Sequence, residues 1–233
     1  MIVVICGQHR SGSTLAWQIT GELLSATRSV SMPMRTPPNQ LWLHALRPQH
    51  VRMVKVHYSP TVPKRHFPQR GAHYVYTFRD PRDVAASLIR KGRYGPEHEK
   101  RGAEGVASMI RRELRGDAFW RTRESLWIGK YEEITQDVPG LVRSLAGFLQ
   151  IPIDEEIVTR IGDHVSVERQ RIRVADVRTS GVDPLLRITS NHITDGQEGA
   201  WRATLTPEEV AAIEDLAGDW MRAHGYACEQ PPR

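Results

Sequence analysis

The sequence predicts one α/β domain, spanning residues 1–233, in which helices flank a mostly parallel sheet. Short apolar runs alternate with segments of helical periodicity, and polar stretches rich in Gly or Pro separate them. The 233 residues are a length typical of one domain, and the chain has no internal repeat and no low-complexity linker. Hydrophobic residues make up 39% and charged residues 25%, which excludes collagen-like, coiled-coil and wholly disordered chains.

The first part of the chain predicts three strands and one helix. Residues 2–6 are a continuous apolar run that ends at Gly7, which is typical of a strand buried on both faces. A helix should follow, because three apolar residues recur at helical spacing: Leu15, Ile19 and Leu23. Residues 26–50 are rich in Pro, Ser and Arg and predict irregular chain, whereas residues 51–58 and 73–78 predict two further strands.

The segment Asp80-Pro81-Arg82-Asp83 marks the start of the next helix, because it supplies an N-cap, a Pro at N1 and an acidic residue at N3. This helix should continue to about residue 89. A polar, Gly-rich loop is predicted over residues 91–105, a helix over residues 106–123 and a fourth strand over residues 126–131.

The last part of the chain predicts two helices separated by a charged segment. Five residues form the apolar side of the first: Leu141, Val142, Leu145, Phe148 and Leu149. Residues 163–200 have weak periodicity, and together with residues 26–50 and 91–105 they are candidates for the walls and lid of a binding site. The segment Thr206-Pro207-Glu208-Glu209 predicts a capping box, and Gly225 predicts the end of the helix that follows it.

The composition and the spacing of residues indicate which classes of ligand the protein is expected to bind. The net charge is +5, with 27 Arg against 5 Lys, which suits an anionic small molecule at least as well as nucleic acid. No basic run is interleaved with aromatic residues, so no nucleic-acid partner is expected. The two cysteines and ten histidines show no metal-ligand spacing, so no metal is expected. The longest apolar runs are too short for a membrane span or a signal peptide, which predicts a cytoplasmic protein without a membrane partner.

The segment Gly7-Gln8-His9-Arg10-Ser11-Gly12-Ser13-Thr14 lies between the first predicted strand and the first predicted helix. In that context the backbone N–H groups of the turn and of the helix N-terminus converge on one point and favour an anion. Loops of this spacing that bind ATP or GTP have a Lys directly after the second glycine. Here Ser13 occupies that position and the cation is Arg10, which favours a shorter, diphosphate-like anion over a triphosphate.

Residues 10–14, Arg-Ser-Gly-Ser-Thr, resemble the 5′-phosphosulfate loop of the sulfotransferases that use 3′-phosphoadenosine 5′-phosphosulfate (PAPS), with His9 in place of the usual Pro. The resemblance implies a single-domain parallel sheet flanked by helices, the P-loop nucleotide-kinase-like sulfotransferase fold. It also implies PAPS as the donor, bound through five residues of this loop: Arg10, Ser11, Gly12, Ser13 and Thr14.

Two further segments resemble this family in the expected order. The segment from Arg79 to Ser87 is similar to the family's 3′-phosphate motif, which implies that these two residues contact the 3′-phosphate. Val54-Lys55-Val56-His57 resembles the Lys-x-His segment of the cytosolic branch, which implies that His57 is the general base. Lys55 would then steady the transferring group together with Arg10, and strand alternation places Lys55 and His57 on one face. His9 is the competing candidate for the base.

Two weaker matches complete the series. The segment Trp127-Ile128-Gly129-Lys130-Tyr131-Glu132-Glu133-Ile134 is similar to a strand-ending Tyr-Glu-Asp-Leu segment, which implies that Tyr131 lies near the adenine. Residues 192–202 resemble a Gly-x-x-Gly-Asp-Trp segment, which implies that Gly196 contacts the cofactor. Thr194-Asp195 replace the basic pair that precedes the first glycine of the family's segment.

The ordered motifs therefore imply a metal-independent sulfotransferase that transfers the sulfuryl group of PAPS to a hydroxyl, or an amine, of a small-molecule or glycan acceptor. A P-loop nucleoside or small-metabolite kinase with a variant phosphate loop is the first alternative, and it would need a phosphate-binding Lys and Mg²⁺ ligands. A non-catalytic anion- or RNA-binding module is the second, although it would not account for the Lys-x-His segment. The acceptor and the oligomeric state are left open.

Overall fold

A computed structural model describes residues 1–32, 50–57, 67, 69–92, 101–172 and 197–229 of the chain. Within them, five strands form one parallel sheet in the order β2-β3-β1-β4-β5. The strands are β1 (Ile2–Gly7), β2 (Ser29–Ser31), β3 (His50–Lys55), β4 (His73–Phe78) and β5 (Leu126–Lys130). The parallel α/β class predicted from the sequence is confirmed.

Helices lie between β1 and β2, between β4 and β5, and after β5. They are α1 (Ser13–Ser25), α2 (Pro81–Arg90), α3 (Gly102–Trp120), α4 (Tyr131–Gln136), α5 (Val138–Leu149), α6 (Glu155–Val165) and α7 (Pro207–Ala223), with a 3₁₀ turn at Ala200–Ala203. Among the described helices, none combines the length and the hydropathy of a membrane-spanning segment.

The alternation of side chains along β1 divides the core into two parts. Val4 and Cys6 face one side of the sheet, where α2, α3 and α7 pack in one apolar cluster. Val3 and Ile5 face the other side, where α1, α5 and α6 pack. Because both faces are covered, all six residues of β1 are buried, which explains the continuous apolar run in the sequence.

Several local predictions are confirmed at the level of hydrogen bonds. The Asp80 side chain accepts from the Arg82 N–H at 2.8 Å and caps α2, with Pro81 at the first helical position. Thr206 and Glu209 form the predicted capping box of α7. These interactions depend only on residues close in sequence, which makes them predictable from local patterns.

Other boundaries were predicted wrongly. β3 ends at Lys55, so His57 follows the strand instead of lying within it, although the Val56 N–H still donates to the Ile5 carbonyl. Tyr131 starts α4 instead of ending β5. α3 begins within the predicted loop over residues 91–105. The sequence also did not predict α4, α6, the 3₁₀ turn or the short edge strand β2, which lies inside the segment predicted as irregular.

Candidate functional site

Most of the predicted site residues lie at the carboxyl ends of three neighbouring strands. β1 lies between β3 and β4, and the chain that leaves β1 leads to β2 on the β3 side of the sheet. Ligands of open parallel sheets bind beyond the carboxyl ends of the strands, at the point where the strand order reverses. The loop over residues 8–12, called here the β1–α1 loop, lies at that point.

Thr77 of β4 anchors the β1–α1 loop. The Gln8 N–H donates to the Thr77 carbonyl at 3.0 Å, and the Ser11 hydroxyl lies 2.7 Å from Thr77 Oγ1 and 3.0 Å from the Thr77 carbonyl oxygen. Gly7 has no room for a side chain, because an added Cβ would collide with the Thr77 carbonyl oxygen. The Ser11 side chain therefore holds the shape of the loop, a role that sequence reasoning did not assign to it.

The loop ends at Gly12, the N-cap of α1, in a left-handed conformation with φ 88°. Gly12 has no side chain that could cap this helix, and the first turn, which begins with Ser13 and Thr14, contains no acidic residue. The N–H groups of that turn and the positive end of the helix dipole thus have no carboxylate of the helix beside them. Arg10 also has a positive φ, 61°, which is uncommon for a residue other than glycine.

Two cationic side chains connect the predicted motifs. Arg10 Nε donates to Ser87 Oγ at 2.8 Å, which brings a predicted 5′-phosphosulfate residue against a predicted 3′-phosphate residue. Lys55 Nζ donates to Thr14 Oγ1 at 2.6 Å, which connects the end of β3 to the first turn of α1. Residues that are 77 and 41 positions apart in sequence therefore meet around one loop.

His57 is oriented by the backbone of β1. Its Nδ1 lies 3.1 Å from the Gly7 carbonyl oxygen. A carbonyl oxygen only accepts, so Nδ1 carries a proton in this bond. In the neutral ring the unprotonated nitrogen is then Nε2, which is the atom that a general base would use.

His9 is held by a carboxylate of α3. The His9 N–H donates to Glu113 Oε2 at 2.9 Å, and His9 Nδ1 lies 2.8 Å from Glu113 Oε1. The His9 ring stacks on the His57 ring, with 4.1 Å between the ring centroids and 20° between the planes. Glu113 was missed by the sequence analysis, because nothing in the sequence of α3 distinguishes it from the other acidic residues there.

Arg79 lies directly beyond β4 and is buried, with 3% of its surface exposed. Its guanidinium carbon lies 4.0 Å from the centroid of the Tyr131 ring, and one terminal nitrogen donates to the Gln197 carbonyl at 2.9 Å. The same nitrogen lies 3.4 Å from Asp83 Oδ2. Nε of Arg79 has no hydrogen-bond acceptor among the described residues.

Asp83 connects α2 to a distant segment of the chain, a role that was not predicted from the sequence. Its carboxylate accepts from the N–H groups of Gly199 and Trp201, at 2.9 and 3.0 Å, in addition to its contact with Arg79. The start of α2 is thereby connected to the chain just after Gly196, which itself lies outside the described residues. The sequence offers one signal, because Asp83 lies four residues after Arg79 inside the motif.

Glu132 supports the site from behind Tyr131. Its Oε2 accepts from the Tyr226 hydroxyl at 2.9 Å, which connects α4 to the end of the chain after α7. Burial raises the pKa of the Glu132 carboxyl, although the bond from Tyr226 and the nearby charge of Arg79 oppose that rise. In the part of the chain that the structure describes, no group of three or more His, Cys, Asp or Glu side chains is arranged to hold a metal ion.

Comparison with known proteins assigns the chain to a family. A direct search of curated proteins gives no match. Retinol dehydratase in complex with retinol and PAP is 18% identical, with a TM-score of 0.65 over 99% of this chain and 83% of that one. Mouse sulfotransferase SULT7A1 complexed with PAP is 16% identical, with a TM-score of 0.68 over 97% and 85% of the two chains. The family model described as a sulfotransferase domain matches residues 2–225, so this chain belongs to the sulfotransferase domain family.

Proposed function

We propose that this protein transfers the sulfuryl group of PAPS to a hydroxyl or amine of a small-molecule acceptor. The single observation that carries the proposal is the meeting of Arg10 and Ser87, because it joins the two predicted phosphate-binding motifs in one place. The sulfotransferase family assignment supports the reaction type. Retinol dehydratase, the relative bound to retinol and to androsterone, supports a small-molecule acceptor over a glycan.

The residues present fit a nucleotide donor with phosphate groups at the 3′ and 5′ positions of its ribose. Near the first turn of α1, Arg10 and Lys55 supply positive charge beside backbone N–H groups. Nε of Arg79 is a buried donor without an acceptor among the described residues, and a phosphate oxygen would satisfy it. Ser87 would complete the 3′-phosphate site, and Tyr131, Ser13 and Gly12 would line the donor site beside these residues.

Each of these side chains then has a defined role in the transfer of the sulfuryl group. When bound, PAPS supplies a sulfuryl group whose bond to the 5′-phosphate oxygen breaks as the acceptor oxygen or nitrogen bonds to sulfur. His57 Nε2 accepts the proton that the acceptor releases, because Nδ1 is already committed to the Gly7 carbonyl. Arg10, Lys55 and the loop N–H groups stabilise the electron pair that remains on the 5′-phosphate. No step requires a metal.

The kinase alternative is not favoured by these residues. Ser13 stands where a triphosphate-binding loop has Lys, and the Thr14 hydroxyl accepts a hydrogen bond from the Lys55 ammonium. Thr14 would otherwise be the hydroxyl position for Mg²⁺. The single domain over residues 1–233 and the cytoplasmic location predicted from the sequence are part of the proposal.

The test is a comparison of ligands by isothermal titration with the whole chain. We expect 3′-phosphoadenosine 5′-phosphate (PAP) to bind at least 10-fold more tightly than adenosine 5′-phosphate, and ATP-Mg²⁺ and an RNA oligonucleotide to bind weakly. Tight binding of ATP-Mg²⁺ without PAP binding would instead support a kinase, and tight RNA binding alone would support a binding module. A screen of phenols, alcohols, amines and glycans with labelled PAPS then identifies the acceptor class.

A further inference from the structure

Two imidazole rings lie face to face at the end of β1, and the proposed reaction uses only one of them. The stacked pair has 4.1 Å between the ring centroids of His9 and His57. His57 is fixed at its edge, through Nδ1 and the Gly7 carbonyl. A hydrogen bond at the edge of a ring does not by itself fix the plane of that ring, whereas the stacked His9 ring restricts the plane from its face.

His9 is itself held firmly. Glu113 accepts from both its backbone N–H and its ring Nδ1, at 2.9 and 2.8 Å. The Glu113 side chain is only 6% exposed, so a carboxylate is kept in a buried position where it needs such donors. The arrangement joins α3 to the β1–α1 loop over 104 residues of sequence.

Three elements supply charged residues next to the two histidines, either by contact or by position in the sequence. Glu113 and Arg112 belong to α3, and Arg112 lies 3.5 Å from Glu113 Oε1. Arg10 belongs to the β1–α1 loop and Lys55 to the end of β3. Glu113 supplies negative charge at the Nδ1 edge of the His9 ring, and the face of the same ring contacts His57.

We propose that His9, held by Glu113, is a positioning residue for His57: its ring fixes the plane of the His57 ring, so that Nε2 points along one direction towards the acceptor. This inference rests on the proposed function, in which His57 is the base. The acceptor proton still goes to His57 Nε2, and His9 neither gains nor loses a proton in the reaction. Its contribution is orientation, which matters because proton transfer requires a short, aligned approach.

The first experiment is a double-mutant cycle on kcat with labelled PAPS. His9→Ala should lower kcat on the order of 10- to 100-fold, the scale of a lost orientation, and leave PAP affinity unchanged. In a His57→Ala background, itself slower by about 10²–10⁴-fold, the same change should cost less than about 2-fold, because its target is gone. Equal losses in both backgrounds, or no loss in either, would overturn the proposal, as would a His9→Ala loss larger than that of His57→Ala.

Matched variants distinguish the contribution of the His9 ring from that of the Glu113 carboxylate that holds it. His9→Phe keeps an aromatic face but loses the bond from Nδ1 to Glu113, so it should recover part of the kcat that His9→Ala loses. Glu113→Gln should lower kcat in the same direction, since an amide nitrogen would face one of the two His9 donors. Glu104→Gln changes an exposed carboxylate in the first turn of the same helix and should leave kcat unchanged. A Glu113→Gln enzyme as active as the Glu104→Gln control would contradict the role of Glu113.

The second experiment needs no catalysis. The ¹⁵N imidazole signals of His57, recorded against pH, report its tautomer and the midpoint of its titration. His9→Ala uncovers the His57 ring to water and leaves Glu113 without its imidazole donor, and both changes favour the protonated ring. We therefore expect the midpoint to move to higher pH in His9→Ala. An unchanged midpoint and tautomer would overturn the inference, whereas a shift in a chain that transfers no sulfuryl group would retain the ring geometry and refute the proposed function instead.

Discussion

The buried Arg79 side chain has one N–H group, at Nε, without an acceptor among the described residues. Its terminal nitrogen and its face are engaged by Gln197, Asp83 and Tyr131, whereas no described residue accepts from Nε. A buried donor without a partner costs free energy, about 1–3 kcal/mol. A phosphate that reaches this nitrogen recovers that cost and adds charge, which makes Arg79 the residue where PAP binding is expected to be most sensitive.

Arg79→Ala should weaken PAP binding by about 1.5–3 kcal/mol, the scale of a charge-assisted hydrogen bond. Isothermal titration measures the effect, with adenosine 5′-phosphate as the control ligand, since it lacks the 3′-phosphate. Its affinity should change little. An equal loss for both nucleotides would mean that Arg79 supports the fold of the site without contacting the 3′-phosphate, and thermal unfolding of the variant would detect that support.

At the scale of elements, the β1–α1 loop depends on one glycine. Gly12 has φ 88°, and an added Cβ would lie 2.9 Å from Ile134 Cδ1 and 3.2 Å from Tyr131 Cδ2. A side chain there would displace Tyr131, whose ring lies under the Arg79 guanidinium. A side chain at position 12 would therefore also disturb Tyr131, which the donor is proposed to contact.

Gly12→Ala should destabilise the protein by roughly 1–3 kcal/mol and weaken PAP binding more than 10-fold. Gly71→Ala is the matched control, because Gly71 has a similar φ of 80° but open space around an added Cβ. It should cost about 1 kcal/mol of stability and leave PAP binding unchanged. Urea unfolding and titration with PAP measure the two quantities. Similar PAP affinities in the two variants would contradict the role given to Gly12.

Glu132 joins two parts of the protein that are distant in sequence, because its carboxylate accepts a hydrogen bond from the Tyr226 hydroxyl. Burial raises the pKa of its carboxyl above the value near 4.3 of the unfolded chain. The folded state therefore binds this proton more tightly than the unfolded state. The stability that Glu132 contributes is present below the unfolded pKa and is lost as pH rises through the raised folded value.

Glu132→Gln removes this dependence, because the amide stays neutral and its oxygen still accepts from the Tyr226 hydroxyl. The variant should gain stability relative to the wild type as pH rises from about 4 to 7, since only the wild type must ionise a buried group. Urea unfolding at several pH values measures the difference between the two proteins. A difference that stays constant with pH, or that falls as pH rises, would contradict the raised pKa of Glu132.

Features that depend on neighbouring residues were predictable from the sequence. The apolar run of β1, the N-cap Asp80, the capping box at Thr206 and the glycine-bounded loop before α1 all follow from patterns within a few residues. Where a prediction failed, tertiary contacts decided the boundary. β2 consists of three residues and exists through its pairing with β3, which nothing within the segment itself indicates.

Because hydrophobic periodicity and turn chemistry are local, the fold class, a loop expected to favour an anion and the residue types of each motif were predictable from the sequence. Which of those residues meet depends on how the helices pack on the sheet. The contact between Arg10 and Ser87 spans 77 residues, that between His9 and Glu113 spans 104, and that between Asp83 and Trp201 spans 118. Such pairs carry no spacing signal, since the packing of α2 and α3 against the sheet sets their distances.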